Sequence, residues 1–137
     1  KNKNNETKTP SYNEYITKVK NNHENNGENN GEKIRYLLQS DETDFIDTMK
    51  NTFDNSFSFN EEIRTLSKSR KGMVDIHGNR CDNFKYSQYF LAITIIMSKC
   101  KYVYCNTGNC SLWIRLYRDN KEGFNQWIHW QGKNVWI

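Results

Sequence analysis

The 137-residue chain has no apolar run long enough to cross a bilayer. Its longest nearly apolar stretch, Tyr89 to Met97, is nine residues broken by Thr94, whereas a spanning helix needs about 20. A transmembrane helix is excluded on length. The N-terminus consists of Lys, Asn, Glu and Thr and lacks the apolar segment of a signal peptide. It also lacks an initiating Met, so a trimmed chain, a processed product and a piece of a longer polypeptide all stand as readings. The expected compartment is cytoplasmic, with the lumen of the secretory pathway as the alternative for a piece of a longer anchored protein. Concentrated charge is absent as well: 20 basic and 16 acidic residues are interspersed, giving a net +4. That balance gives mild attraction to phosphate and none of the clustered basic face a nucleic-acid partner requires. Paired C-x-x-C spacing is missing among Cys81, Cys100, Cys105 and Cys110, and only His77 and His129 lie near enough in sequence to assist. The expectation is therefore no metal site, with the cysteines reduced and packed as small hydrophobes; two disulfides in a secreted protein are the alternative.

What is abundant is asparagine. The chain holds 20 Asn against an apolar content of only 35%, so whatever core it has is unevenly distributed, and the length suits one modest core. Ten of the 20 Asn fall in residues 1–32, where NNHENNGENNGE buries too little apolar surface to offset its ordering entropy. The reading is a polar segment with a short helix over 1–20, a flexible loop over 21–32, and a folded domain over 33–137.

Periodicity supplies the elements. Tyr12, Tyr15, Ile16 and Val19 follow helical spacing after Pro10, with Ser11 in the N-cap region. KIRYLLQ, 33–39, reads as a buried parallel strand. SDETDFIDTMKNTF turns helical, its apolar face being Phe45, Ile46, Met49 and Phe53 and its start loaded with Asp41, Glu42 and Asp44. SFSF at 56–59 is a short strand, and the polar stretch to 83 a long connection. FKYSQYFLAITIIMSKC is too long for a strand and predicts a buried helix. KYVYCNT is a strand, GNCSLWIRLYR a turn and helix, and FNQWIHW a last alternating strand. Helix and strand alternate throughout, which predicts an α/β fold: an open, doubly wound, mostly parallel sheet.

In such a sheet, ligands sit beyond the carboxyl ends of the strands, here at 40–42 and 106–111. The second turn, with Thr107, Gly108, Asn109, Cys110 and Ser111, opens a helix, and a helix N-terminus attracts an anion; an ordinary αβ connection is the bland alternative. Asp41 and Glu42 at the first turn serve either a ligand or the helix start. Arg64, Lys68, Arg70, Lys71 and His77 lie on the long connection, able to close over a diphosphate or to remain solvated. Trp113, Tyr117, Trp127 and Trp130 fall at helix or strand spacing and are expected in the core.

KIRYLLQSDETDFIDTMKNTF resembles the segment of core α-1,6 and nodulation-type fucosyltransferases in which a strand ends in Ser/Thr-Asp-Asp before a helix. ITIIMSKCKYVYCNTGNCSLWIRLYR is similar to the same enzymes' later helix, strand and Thr/Ser-rich turn. The resemblance spans roughly residues 1–118. It implies the Rossmann-like, nucleotide-sugar-binding half of a GT-B-type glycosyltransferase, inverting and metal-independent, using no cofactor beyond a donor such as GDP-fucose and acting on a glycan acceptor. By the same resemblance Asp41 and Glu42 take the Asp-Asp position. Arg64 and His77 sit where the family carries an Arg-Ser and a His, and 107–111 take the place of the diphosphate-contacting Ser. Glu6 maps near the acidic residue that serves as catalytic base. Two departures are visible. Ile93 stands where the family usually has a guanine-recognising Asp, and Lys1 falls at about the final Lys of an upstream His-x-Arg-x-x-Asp-Lys strand, as if the chain were cut just after that motif. A non-catalytic nucleotide-sugar or glycan-binding module is the alternative reading. The third is a nucleic-acid-associated protein, suggested by a pI near 8.8 and 14% aromatic residues.

Overall fold

A computed structural model describes residues 9–25, 34–59 and 83–137. Among these residues nine elements follow in chain order: α1 (Tyr12–Asn25), β1 (Tyr36–Leu37), α2 (Thr43–Thr52), β2 (Ser56–Phe57), α3 (Asn83–Ser98), β3 (Val103–Asn106), α4 (Asn109–Arg118), β4 (Phe124–Trp130) and β5 (Lys133–Trp136). Among the described residues helix and strand alternate as expected up to β4, and the architecture is mixed α/β with small open sheets. The chain divides into two compact units, residues 1–15 with 93–137 and residues 16–92. The boundaries fall inside α1 and α3.

The described residues of the unit 16–92 include one strand–helix–strand step. β1 and β2 pair in parallel, Tyr36 with Ser56 and Leu37 with Phe57. α2 connects them and turns the apolar stripe of its sequence inward: Ile46 and Met49 are buried, as is Phe53 at its C-cap. Tyr36 stacks on Phe53 with ring centroids 4.6 Å apart. Its hydroxyl also lies 3.0 Å from His23 Nδ1, and that contact explains one departure from expectation. Composition assigned 21–32 to a loop, yet α1 runs on to Asn25, because a helix already started continues cheaply and His23 gains a partner by staying helical. Residues 26–32 lie outside the described residues. At the other end Ser11 and Glu14 form the capping box that the S-x-x-E spacing permits: the Glu14 carboxylate accepts from Ser11 N–H at 2.6 Å and from its hydroxyl at 2.7 Å.

The second unit holds a three-stranded sheet in the order β3-β4-β5. β3 and β4 are parallel, from Val103 opposite Phe124 to Asn106 opposite Trp127, and α4 makes the crossover. β5, which alternation alone did not reveal, folds back antiparallel from Trp130 opposite Lys133 to Trp127 opposite Trp136. Gln131 and Gly132 both have positive φ, 48° and 77°, the paired left-handed conformations of a tight two-residue hairpin turn. One sheet face packs under α4 through Val103, Ile114 and Phe124, with Met97, Cys100 and Cys105 against them. The opposite face is aromatic, Trp136 meeting Trp127, Tyr104 and Tyr15 at centroid distances of 5.3, 6.5 and 5.2 Å. Arg118 locks the far end. Its guanidinium donates to the carbonyls of Ser98, Cys100, Lys101 and Glu122.

The expectation of a single open, mostly parallel sheet is corrected in its count: the described strands form two sheets, with β1–β2 and β3–β4 parallel and β4–β5 antiparallel. Local patterning specifies that a strand exists and which face is apolar, but not its partner. α3 is the predicted helix, yet only Ile93, Thr94 and Ser98 along it are buried, and Leu91, Ile95 and Ile96 are exposed. No helix among the described residues is long and apolar enough to cross a membrane.

Candidate functional site

The turn between β3 and α4 holds the best-defined group of predicted site residues. β3 ends at Asn106, and intrahelical bonding begins with the Leu112 N–H donating to the Gly108 carbonyl at 3.2 Å. The positive end of the α4 dipole thus coincides with the turn. Asn106, Thr107, Gly108, Asn109 and Cys110 are all exposed, and a Cβ built on Gly108 meets nothing within 4 Å. The turn is open on its outer side and fixed on its inner side.

Two hydroxyls do the fixing. Thr107 Oγ1 donates to the carbonyl of Trp127 on β4. Ser111 Oγ donates to the Gly108 carbonyl at 2.7 Å and accepts from Gly108 N–H at 3.1 Å and Gln126 Nε2 at 2.9 Å. One donor and two acceptor positions are all that a serine hydroxyl has, and Ser111 is only 2% exposed. The Ser111 hydroxyl therefore fastens the turn to β4, and Thr107, Gly108, Asn109 and Cys110 are the exposed members of the predicted set.

Two thiols flank the same turn in contrasting environments. Burial, followed by the neighbouring charge of Cys110, pushes the Cys105 thiol up from 9.0 to about 12. Burial also raises Cys100, against the opposing pull of Arg118. Cys100, Cys105 and Cys110 form no disulfide, and Cys110 is exposed in the first turn of α4. Under mild alkaline conditions, iodoacetamide is expected to modify Cys110 readily and Cys105 about a hundredfold more slowly, because the thiolate is the nucleophile. Peptide mapping by mass spectrometry checks this; equal rates would contradict the burial of Cys105. The folded state holds the Cys105 proton more tightly than the unfolded chain does, so this group's contribution to stability is complete below pH 9 and declines as pH rises towards 12.

The other predicted residues are distributed as follows. Asp41 is exposed just before α2, and Glu42 is its N-cap residue without a side-chain capping bond, the Glu42 N–H being held by Ser40 Oγ at 3.1 Å. Both belong to the unit of residues 16–92, whereas 107–111 belong to the other. Glu6, Arg64 and His77 lie outside the described residues. Among the described residues no group of three or more His, Cys, Asp or Glu side chains is arranged to hold a metal ion.

Sequence reasoning missed the hairpin tip. Of the aromatic residues expected in the core, Trp127 is buried, whereas Trp113, Tyr117 and Trp130 are exposed. The signal was present in Gln131-Gly132, a turn dipeptide between two alternating runs, and it implied a strand beyond Trp130. No family model, curated protein or solved structure matches the chain.

Proposed function

We propose that the chain binds a nucleoside-diphosphate sugar at the β3–α4 turn, as part of the Rossmann-like donor half of a fucosyltransferase-like glycosyltransferase. The observation that carries this reading is the exposed turn 106–110 at the carboxyl end of a parallel strand, open outside Gly108 and backed by the positive end of a ten-residue helix. An anionic leaving group gains there from the dipole without a metal. The sequence resemblance, which assigns the same turn to the donor diphosphate, supports the reading independently. In it the diphosphate departs against the turn; donor-binding roles for Asp41, Glu42, Arg64 and His77, and the role of base for Glu6, are what the resemblance alone implies. GDP-fucose is the donor that the resemblance favours.

Calorimetric titration tests it. GDP, UDP and their sugars are expected to bind, inorganic pyrophosphate to compete with them, and the corresponding nucleosides to bind at least about tenfold more weakly for want of the charged contacts. Duplex or single-stranded nucleic acid binding more tightly than all of these would overturn the reading in favour of a nucleic-acid partner. A transfer assay on a glycan acceptor then separates an enzyme from a module that only binds.

A further inference from the structure

We infer that Trp130, at the tip of the β4–β5 hairpin, is a stacking platform for the base of a nucleoside diphosphate, with Lys133 beside it facing the phosphates. The inference rests on the donor reading of the β3–α4 turn and adds to it the residues that hold the nucleoside.

Register places the platform. Pairing of β3 with β4 ends at Asn106 opposite Trp127, yet β4 continues to Trp130. Ile128, His129 and Trp130 therefore overhang the end of β3, on the side where the turn 106–110 lies, by three residues or about 10 Å. A phosphate group and a ribose span such a distance.

Alternation then fixes the face. Successive strand residues point to opposite sides of a sheet. Gln126 reaches Ser111 at 2.9 Å, so Gln126, Ile128 and Trp130 share the α4 side. Trp127, buried against Trp136, is on the other. Lys133 is the cross-strand partner of Trp130 and shares its side. The indole and the ammonium thus stand on the side of the sheet that α4 covers, past the end of the helix that points its N-terminus at the same turn.

Exposure and rigidity complete the argument. Trp130 is 61% exposed, whereas Trp127, three residues earlier on the same strand, is 7% exposed. Trp130 is also held by a two-residue turn, and across the pair behind it the His129 ring nitrogen Nδ1 lies 2.9 Å from Asn134 Oδ1. A large flat ring on a stiff support binds a base with little loss of side-chain entropy. Lysine is a mobile point charge suited to phosphate.

The test compares GDP, UDP and inorganic pyrophosphate on the wild-type chain, Trp130→Ala, Trp130→Phe and Lys133→Met. Trp130→Ala is expected to weaken both nucleotides about tenfold, the scale of one base–aromatic stack, and to leave pyrophosphate unchanged. Trp130→Phe is expected to restore most of that loss. Lys133→Met is expected to weaken all three ligands. Wild-type binding that Trp130→Ala leaves intact overturns the platform alone. So does an equal loss of nucleotide and pyrophosphate in Trp130→Ala that phenylalanine fails to restore. A wild-type chain that binds none of the three overturns the donor reading, and the platform falls with it.

Discussion

Replacing Gly123 by alanine is expected to cost about 3 kcal/mol or more, which for a chain of this size lowers the melting temperature by roughly 10 °C or more. Gly123 sits between α4 and β4 with φ at +67°, and an added Cβ would run into the Lys101 carbonyl oxygen and lie 3.0 Å from the Tyr102 ring and 3.3 Å from Arg118 Nη2. The first of these is a clash with backbone and cannot be relieved by turning a side chain. Left-handed backbone alone costs a non-glycine residue about 1 kcal/mol or somewhat more. Separating the two chain segments would also stretch the Val103 N–H to Gly123 carbonyl bond, now 2.8 Å, which starts the pairing of β3 with β4. Gly132→Ala is the matched control, because Gly132 has a similar φ of +77° but nothing within 4 Å of the added carbon. Thermal melts followed by circular dichroism should show the Gly132 variant losing about 1 kcal/mol. Equal losses in the two variants would mean that the contact at Lys101 contributes nothing.

Arg118→Ala is expected to destabilise the chain by about 2 to 4 kcal/mol, since hydrogen bonds to a charged group are the stronger kind and loss of the donor leaves several carbonyls without it. The guanidinium gathers carbonyls from the end of α3, the segment before β3 and the loop after α4, Nη2 donating to the Lys101 carbonyl at 2.6 Å and Nε to the Glu122 carbonyl at 3.0 Å. No other side chain type presents five donors in a fixed fork. Arg118→Lys should therefore recover less than half of the loss, because a compact ammonium reaches only part of the set. Urea unfolding of the three proteins measures this. Full recovery by lysine would show that charge alone, not the fork, holds these segments.

The elements that the sequence made legible are those whose information is local. α2 announced itself through Phe45, Ile46, Met49 and Phe53 at helical spacing, and Ile46 and Met49 are buried as that spacing implies. β3, α4 and β4 followed from a change of period at Cys105 to Ser111. Less legible was anything that depends on a distant partner. KIRYLLQ forms a strand at only Tyr36–Leu37, because β2 offers just two residues to pair with it. Nothing in either segment states that they form a sheet of their own. Aromatic spacing was likewise silent about surroundings: Trp127 and Trp130 belong to one strand, but one meets Trp136 and the other reaches past the sheet.

The candidate site divides along the same line. The turn 107–111 was visible as a strand-to-helix junction rich in small polar residues, and its exposure agrees with that description. The hydrogen bonding of the Ser111 hydroxyl was not legible, because a hydroxyl at a helix start looks the same in sequence whatever it faces. The difference lies in Gln126, fifteen residues on, whose amide reaches the hydroxyl only once α4 has packed on the sheet.

The hairpin register couples the interior to the outer surface of this unit. Faces alternate along β4 and β5, so the single alignment that seats Trp136 on Trp127 also sets Trp130 beside Lys133. A residue inserted within 128–130 would exchange the two faces beyond that point and carry Trp130 to the side of the buried aromatic cluster. Change by insertion is thereby closed to these strands, while side-chain replacement at 130 and 133 remains open, as does lengthening of the turn at 131–132. A lineage carrying this hairpin can diversify its tip while inheriting its core unchanged.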